Sequence, residues 1–137
     1  MMPEHDGVTF ETWRQKADDD FSAATILSEH SGPAATICFL CQQAAEKYLK
    51  GYLLLRGRPL KRIHQLDALL EDCTTLDESF QCLVEDAVLL KEYYITSRYP
   101  ADLVREVSKE EGAAAITAAS RIRGFVLGRV ESAEPKS

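Results

Sequence analysis

Two segments of this chain hold residues suited to binding or transferring a charged group. Residues 47–66 read KYLKGYLLLRGRPLKRIHQL and contain no Asp or Glu. Lys47, Lys50, Arg56, Arg58, Lys61 and Arg62 give the segment +6, and His64 stands near its end. The whole chain is −6, so the remaining residues sum to −12. A cationic block kept clear of carboxylates suits an anion, with phosphate the first candidate. Arg58 offers a planar fork that grips two phosphate oxygens, and His64 can exchange a proton near neutral pH. The second segment is Thr96-Ser97-Arg98-Tyr99-Pro100. A rigid loop with Arg98 and Tyr99 can bind phosphate and stack a base. The expected binding residues are therefore Lys50, Arg58, His64, Arg98 and Tyr99.

His64, Lys50, Arg98 and Tyr99 also have purely structural readings. His64 could cap a short helix or bond a neighbouring backbone group. Lys50 could form an ordinary surface pair with Glu46, four residues before it. Arg98 could pair with Asp102 while Tyr99 packs in the core. Asp18, Asp19 and Asp20 are consecutive, so on a helix they point three ways and cannot share one ion; a solvated face is expected. Cys38 and Cys41 form a CxxC, and Cys73 and Cys82 complete a possible zinc set. The pair falls inside a helical pattern with Ile37, Phe39, Leu40 and Ala44, which favours buried, reduced thiols. No metal and no cofactor is expected. No Gly-rich phosphate loop, HExxH or Ser/His/Asp arrangement stands out. Nor is there a Gly-Ser followed by Asp-x-Asp on a strand, so the chain is not itself a nucleotidyltransferase.

The elements that must position these residues are helical. Phe10, Trp13, Ala17, Phe21, Ala24 and Leu27 recur at steps of three and four. Ser31-Gly32-Pro33 ends that helix, and Pro33 can sit in the first turn of the next. The second helix carries Ile37, Leu40, Cys41, Ala44, Tyr48, Leu49, Tyr52 and Leu55, a face wide enough to make it central. Gly57 and Pro59 break it. A short helix follows with Ile63, Leu66, Leu69 and Leu70. Thr75 and Glu78 have the spacing of a capping box that opens a fourth helix with Phe80, Leu83, Ala87, Leu90 and Tyr94. Pro100 forbids helix at Tyr99, so 95–100 is a loop. Ser108 and Glu111 form a second capping box before Ala115, Ile116, Ala119, Ile122, Val126 and Val130. The fold expected is all-α: an antiparallel up-and-down bundle of four long helices plus one short helix, over 10–130. Residues 1–9 and 131–137 are expected to be flexible termini.

The totals agree with one domain. At 137 residues the chain falls within the usual range of about 100–150 for a single domain. It is 45% hydrophobic and 28% charged, which argues for a packed core rather than disorder. The longest strongly apolar stretch, around Tyr52–Leu55, is far short of the roughly 20 residues a membrane span needs. No signal peptide is evident, and a cytoplasmic protein is expected. A net charge of −6 excludes general coating of nucleic acid but leaves room for a local basic site.

CFLCQQAAEKYLKGYLLLRG, followed by HQLDALL and YYITSRYPAD, resembles the HEPN family of small prokaryotic helical bundles. The first helix, with Trp13, Ala17, Asp20 and Ala24, fits as well, as does EEGAAAITAASRIRGFV near the end. The resemblance covers about residues 10–127. It implies a bundle of four to five helices that usually pairs as a homodimer and is often encoded beside a minimal nucleotidyltransferase. It thereby implies a protein that binds a nucleotide or RNA phosphate and acts with such a partner in a toxin–antitoxin-like pair. Nuclease members of the family carry Arg, four to six residues, then His, and cleave RNA without metal. Arg58 and His64 match with five residues between them, so the alternative is a metal-independent endoribonuclease with Arg58 and His64 catalytic at a dimer cleft. In those relatives the motif lies late in the bundle. Here it spans the turn after the second helix, and late Arg98 has no histidine after it. A third alternative is a structural assembly module without ligand.

Overall fold

The computed structural model describes residues 7–59, 62–94 and 106–133. Helix α1 (Phe10–Glu29) starts where Thr9 and Thr12 cap each other's backbone N–H groups. It buries Phe10, Ala17 and Ala24, seven residues apart on one stripe. Ser31 ends the turn with φ +58°, and Gly32 N–H donates to the Leu27 carbonyl at 2.6 Å. Pro33 then stands as the N-cap of α2 (Ala34–Leu55), one position before the first turn.

Helix α2 is the centre of the molecule. It buries residues on every side, among them Ile37, Cys41, Ala45, Tyr48, Leu49 and Tyr52. Helices α1 and α5 (Lys109–Ala133) flank it, and α1 packs far more on α2 than on α5. Helix α3 (Leu66–Leu76) and α4 (Val84–Lys91) cover its remaining side. Gly51 lets α1 approach closely: a Cβ there would lie 2.9 Å from Phe10 Cδ1 and 3.0 Å from Trp13 Cβ. Phe80 packs against Tyr52 in a tilted pair and against Phe125 edge to face, with ring centroids 4.6 and 4.9 Å apart.

The all-helical class expected from the sequence is what the described residues adopt, with one long helix fewer. The fourth helix is divided into a 3-10 segment, Glu78–Leu83, and the 8-residue α4. Thr75 does not cap it. Its hydroxyl donates back to the Glu71 carbonyl at 3.0 Å as part of the last turn of α3. Asp77 takes the role instead, in extended backbone, accepting from Ser79 N–H at 3.0 Å. Phe80, Leu83, Ala87 and Leu90 are buried as the stripe implied. Beyond Leu90 the chain turns, and Tyr93 rather than Tyr94 enters the core. The second capping box forms as expected: Ser108 and Glu111 exchange hydrogen bonds at 3.1 Å. Glu111 also accepts from the Tyr93 hydroxyl at 2.6 Å, joining the start of α5 to the end of α4.

The acidic triplet is not a solvated face. Only Asp19 is exposed. Asp18 accepts from the Tyr48 hydroxyl and, at 3.0 Å, from Arg123 Nε, so one carboxylate ties α1 to α2 and α5. Asp20 pairs with Lys47. The close packing of α1 on α2 turns two of the three side chains inward. Cys38, Cys41 and Cys73 are buried free thiols and Cys82 is an exposed one. Burial pushes the Cys41 and Cys73 thiols up to about 12. Among the described residues no group of His, Cys, Asp and Glu could hold a metal ion. Nor is any described helix long and apolar enough to cross a membrane.

This packing has two measurable consequences. Gly51→Ala gains helix propensity of about 1 kcal/mol but meets rigid ring and backbone-proximal atoms of α1. Overpacking of this kind costs roughly 1–3 kcal/mol, so urea unfolding should show a net loss of stability. Asp18 gives the second. Burial pushes its carboxyl up, yet the bonds from Tyr48 and Arg123, with Arg123 and Arg14 nearby, hold it below the ordinary carboxylate range. A carboxyl depressed in the folded state stabilises the fold above its unfolded value and stops doing so as pH falls through the folded value. Asp18→Asn should therefore lower the urea midpoint at pH 7. The difference from the parent should shrink as pH falls below the unfolded carboxyl range of about 4.

Candidate functional site

The buried polar residues of α2 share one stripe. Gln42, Glu46 and Lys50 are four residues apart, hence one above another on the helix. All three are buried, Gln42 completely. Glu46 is the hub. Its Oε2 accepts from Lys50 Nζ at 3.0 Å and lies 2.8 Å from His64 Nδ1. Its Oε1 accepts from Gln42 Nε2 at 3.3 Å. Gln42 Nε2 also donates to the His64 carbonyl at 3.2 Å, and Gln42 Oε1 accepts from Gln43 at 2.7 Å. His64 is thus held twice, by ring and by backbone, to a helix 18 or more residues earlier. Lys50 Nζ lies 6.0 Å from the centroid of the Trp13 ring on α1, at the outer range of a cation–π contact. A buried carboxylate with a cation and two further donors is the arrangement that makes such a charge tolerable.

The His64 ring stacks on Tyr94, with centroids 4.7 Å apart and planes 10° from parallel. Both rings line a cleft of about 1020 Å³ with Arg62 from the same connection. Asp67 and Glu71 of α3, and Lys91 and Glu92 at the end of α4, complete its charged lining. Lys91 pairs with Asp67 at 2.8 Å. The imidazole remains substantially exposed at 44%, so it is reachable from the cleft. A smaller cavity of about 160 Å³ is lined by Lys50, Leu53, Arg58 and Leu69. The Lys50–Glu46–His64 chain connects the walls of the two.

Of the expected binding residues, the structure brings Lys50 and His64 together through Glu46 and places Arg58 on the smaller cavity. Lys50 is not a surface lysine, as the pairing with Glu46 alone had suggested; the pair is buried. His64 does not cap α3, which begins after Gln65 without a side-chain cap. Arg98 and Tyr99 lie outside the described residues. The basic block is largely engaged. Lys47 pairs with Asp20, Lys50 with Glu46, and Arg56 Nη1 donates to the Tyr52 hydroxyl at 2.5 Å. Arg58 and Arg62 form no ion pair among the described residues. The functional candidates missing from the sequence reading are Glu46, Gln42 and Tyr94. The acid-free segment begins one residue after Glu46. The signal was the spacing of Gln42, Glu46 and Lys50 on an otherwise apolar helix.

Comparison with known proteins gives the lineage. Residues 10–130 match the HEPN domain. No curated protein sequence matches the chain significantly. Among solved structures, TT1696 from Thermus thermophilus is 32% identical with a TM-score of 0.73, covering 87% of this chain and 96% of that one. ST0689, an archaeal HEPN homologue, is 28% identical with a TM-score of 0.72, covering 89% and 98%. With a family match across nearly the whole chain and two full-length structural neighbours, this protein belongs to the HEPN domain family.

Proposed function

We propose that this HEPN bundle binds a nucleotide or an RNA phosphate and acts, as a homodimer in the cytoplasm, with a minimal nucleotidyltransferase in a toxin–antitoxin-like pair. The observation that carries the reading is the reachable His64, fixed by Glu46 and stacked on Tyr94 at a cleft large enough for a nucleotide. Arg62 on the cleft and exposed Arg58 beside it supply cations with no ion-pair partner among the described residues. The loop residues Arg98 and Tyr99 remain candidates for a second wall. Catalysis is the less favoured reading. The endoribonuclease chemistry needs Arg58 and His64 on one phosphate, and the two line different cavities.

Titration with AMP and ATP at low and high salt tests the binding reading. Binding that weakens with salt is expected. Arg58→Ala and His64→Ala should each weaken it about tenfold, the scale of one lost hydrogen bond to the ligand. No heat and no spectral change at millimolar nucleotide would sink it. RNA incubated with the protein in EDTA should stay intact. Cleavage that both substitutions abolish would instead establish the nuclease reading. The partner role predicts co-elution with a nucleotidyltransferase encoded next to this gene.

A further inference from the structure

A carboxylate only accepts hydrogen bonds, so the nitrogen facing it must carry a hydrogen. His64 Nδ1 lies 2.8 Å from Glu46 Oε2, and the same oxygen accepts from Lys50. The ring is further fixed by its stack on Tyr94 and by the bond from Gln42 to its own carbonyl. In the neutral ring the proton is therefore on Nδ1, and Nε2 keeps a lone pair. Nε2 has no hydrogen-bond partner among the described residues. An ionised phosphate has no hydrogen to donate to that lone pair, whereas a hydroxyl has one. Among the described residues, the cation without an ion pair on the neighbouring cavity is Arg58.

We infer that Glu46 is the positioning residue of the site: it fixes the His64 tautomer so that the cleft receives an uncharged hydrogen-bond donor, such as a sugar hydroxyl, rather than an ionised phosphate. The inference rests on the nucleotide-binding reading for its ligand and on the Glu46–His64 geometry for its mechanism. Gln42 shares the task by holding the backbone of the same residue. Lys50 keeps Glu46 a good acceptor in a buried place.

Ring-nitrogen NMR of ¹⁵N-labelled protein tests the mechanism without ligand. At the alkaline plateau of the His64 signals, Nδ1 should carry the proton. A proton on Nε2, the form free histidine prefers, would overturn the assignment. Glu46→Leu combined with Lys50→Met removes both buried charges at once and should return the ring to the Nε2–H form. A folded double variant that keeps the Nδ1–H form would also overturn it. Should the double variant not fold, the parent spectrum decides alone. Adenosine and inorganic phosphate then serve as probes. Adenosine should shift the His64 ring signals and phosphate alone should not; the reverse would overturn the ligand assignment. If neither shifts them, the nucleotide-binding reading falls together with the ligand assignment, while the tautomer result still decides the role of Glu46.

Discussion

A helix buried on every side cannot leave a polar side chain unmatched, and that constraint organises this molecule. Helix α2 carries Gln42, Glu46 and Lys50 into a region with almost no solvent. An isolated buried charge costs several kcal/mol, so each group must find a partner inside the protein. Lys50 and Glu46 neutralise one another. The remaining acceptor capacity of Glu46 is met by Gln42 and by a histidine from the following connection. The connection between α2 and α3 is therefore held by the polar needs of α2. The position of His64, and through it one wall of the large cleft, is a consequence of that demand.

The same logic operates on the other flank with different chemistry. Asp18 faces Tyr48 of α2 and Arg123 of α5, and Asp20 faces Lys47. Gly51 lets α1 lie close enough for these contacts. The cations nearest the centre thus serve the fold. Among the described residues, those still open to a ligand, Arg58 and Arg62, lie beyond the end of α2, after the chain turns at Gly57 with φ +82°.

Much of the fold was legible in the sequence because it is written in local terms. The steps of three and four in α1 and α2, the break at Ser31–Pro33 and the Ser108–Glu111 cap each depend on neighbours in the chain. The failures are instructive for the same reason. Thr75 and Glu78 have the spacing of a cap, but the choice between closing α3 and opening the next helix is made by Asp77, whose extended backbone splits the two. The site was less legible. Charge counting found His64 and Arg58 but treated Lys50 as an outer residue, since burial is a tertiary property. It passed over Glu46 because an acid next to a basic block reads as its boundary. Tyr94 was assigned to the core seam; one turn after Leu90 exchanged it with Tyr93 and left its ring for His64.

Asp18 and Arg123 are separated by 105 residues, yet they share a hydrogen bond. During synthesis the ribosome releases α1 and α2 long before it releases α5. In that interval Asp18 has Tyr48 and Arg14 but not Arg123. The side of α2 that α5 will cover lacks the buried Ala115, Ala118, Ala119 and Ile122. A nascent chain at this stage exposes the apolar back of its central helix. Helix α5 completes the core, and the back of α2 is covered only when that helix emerges.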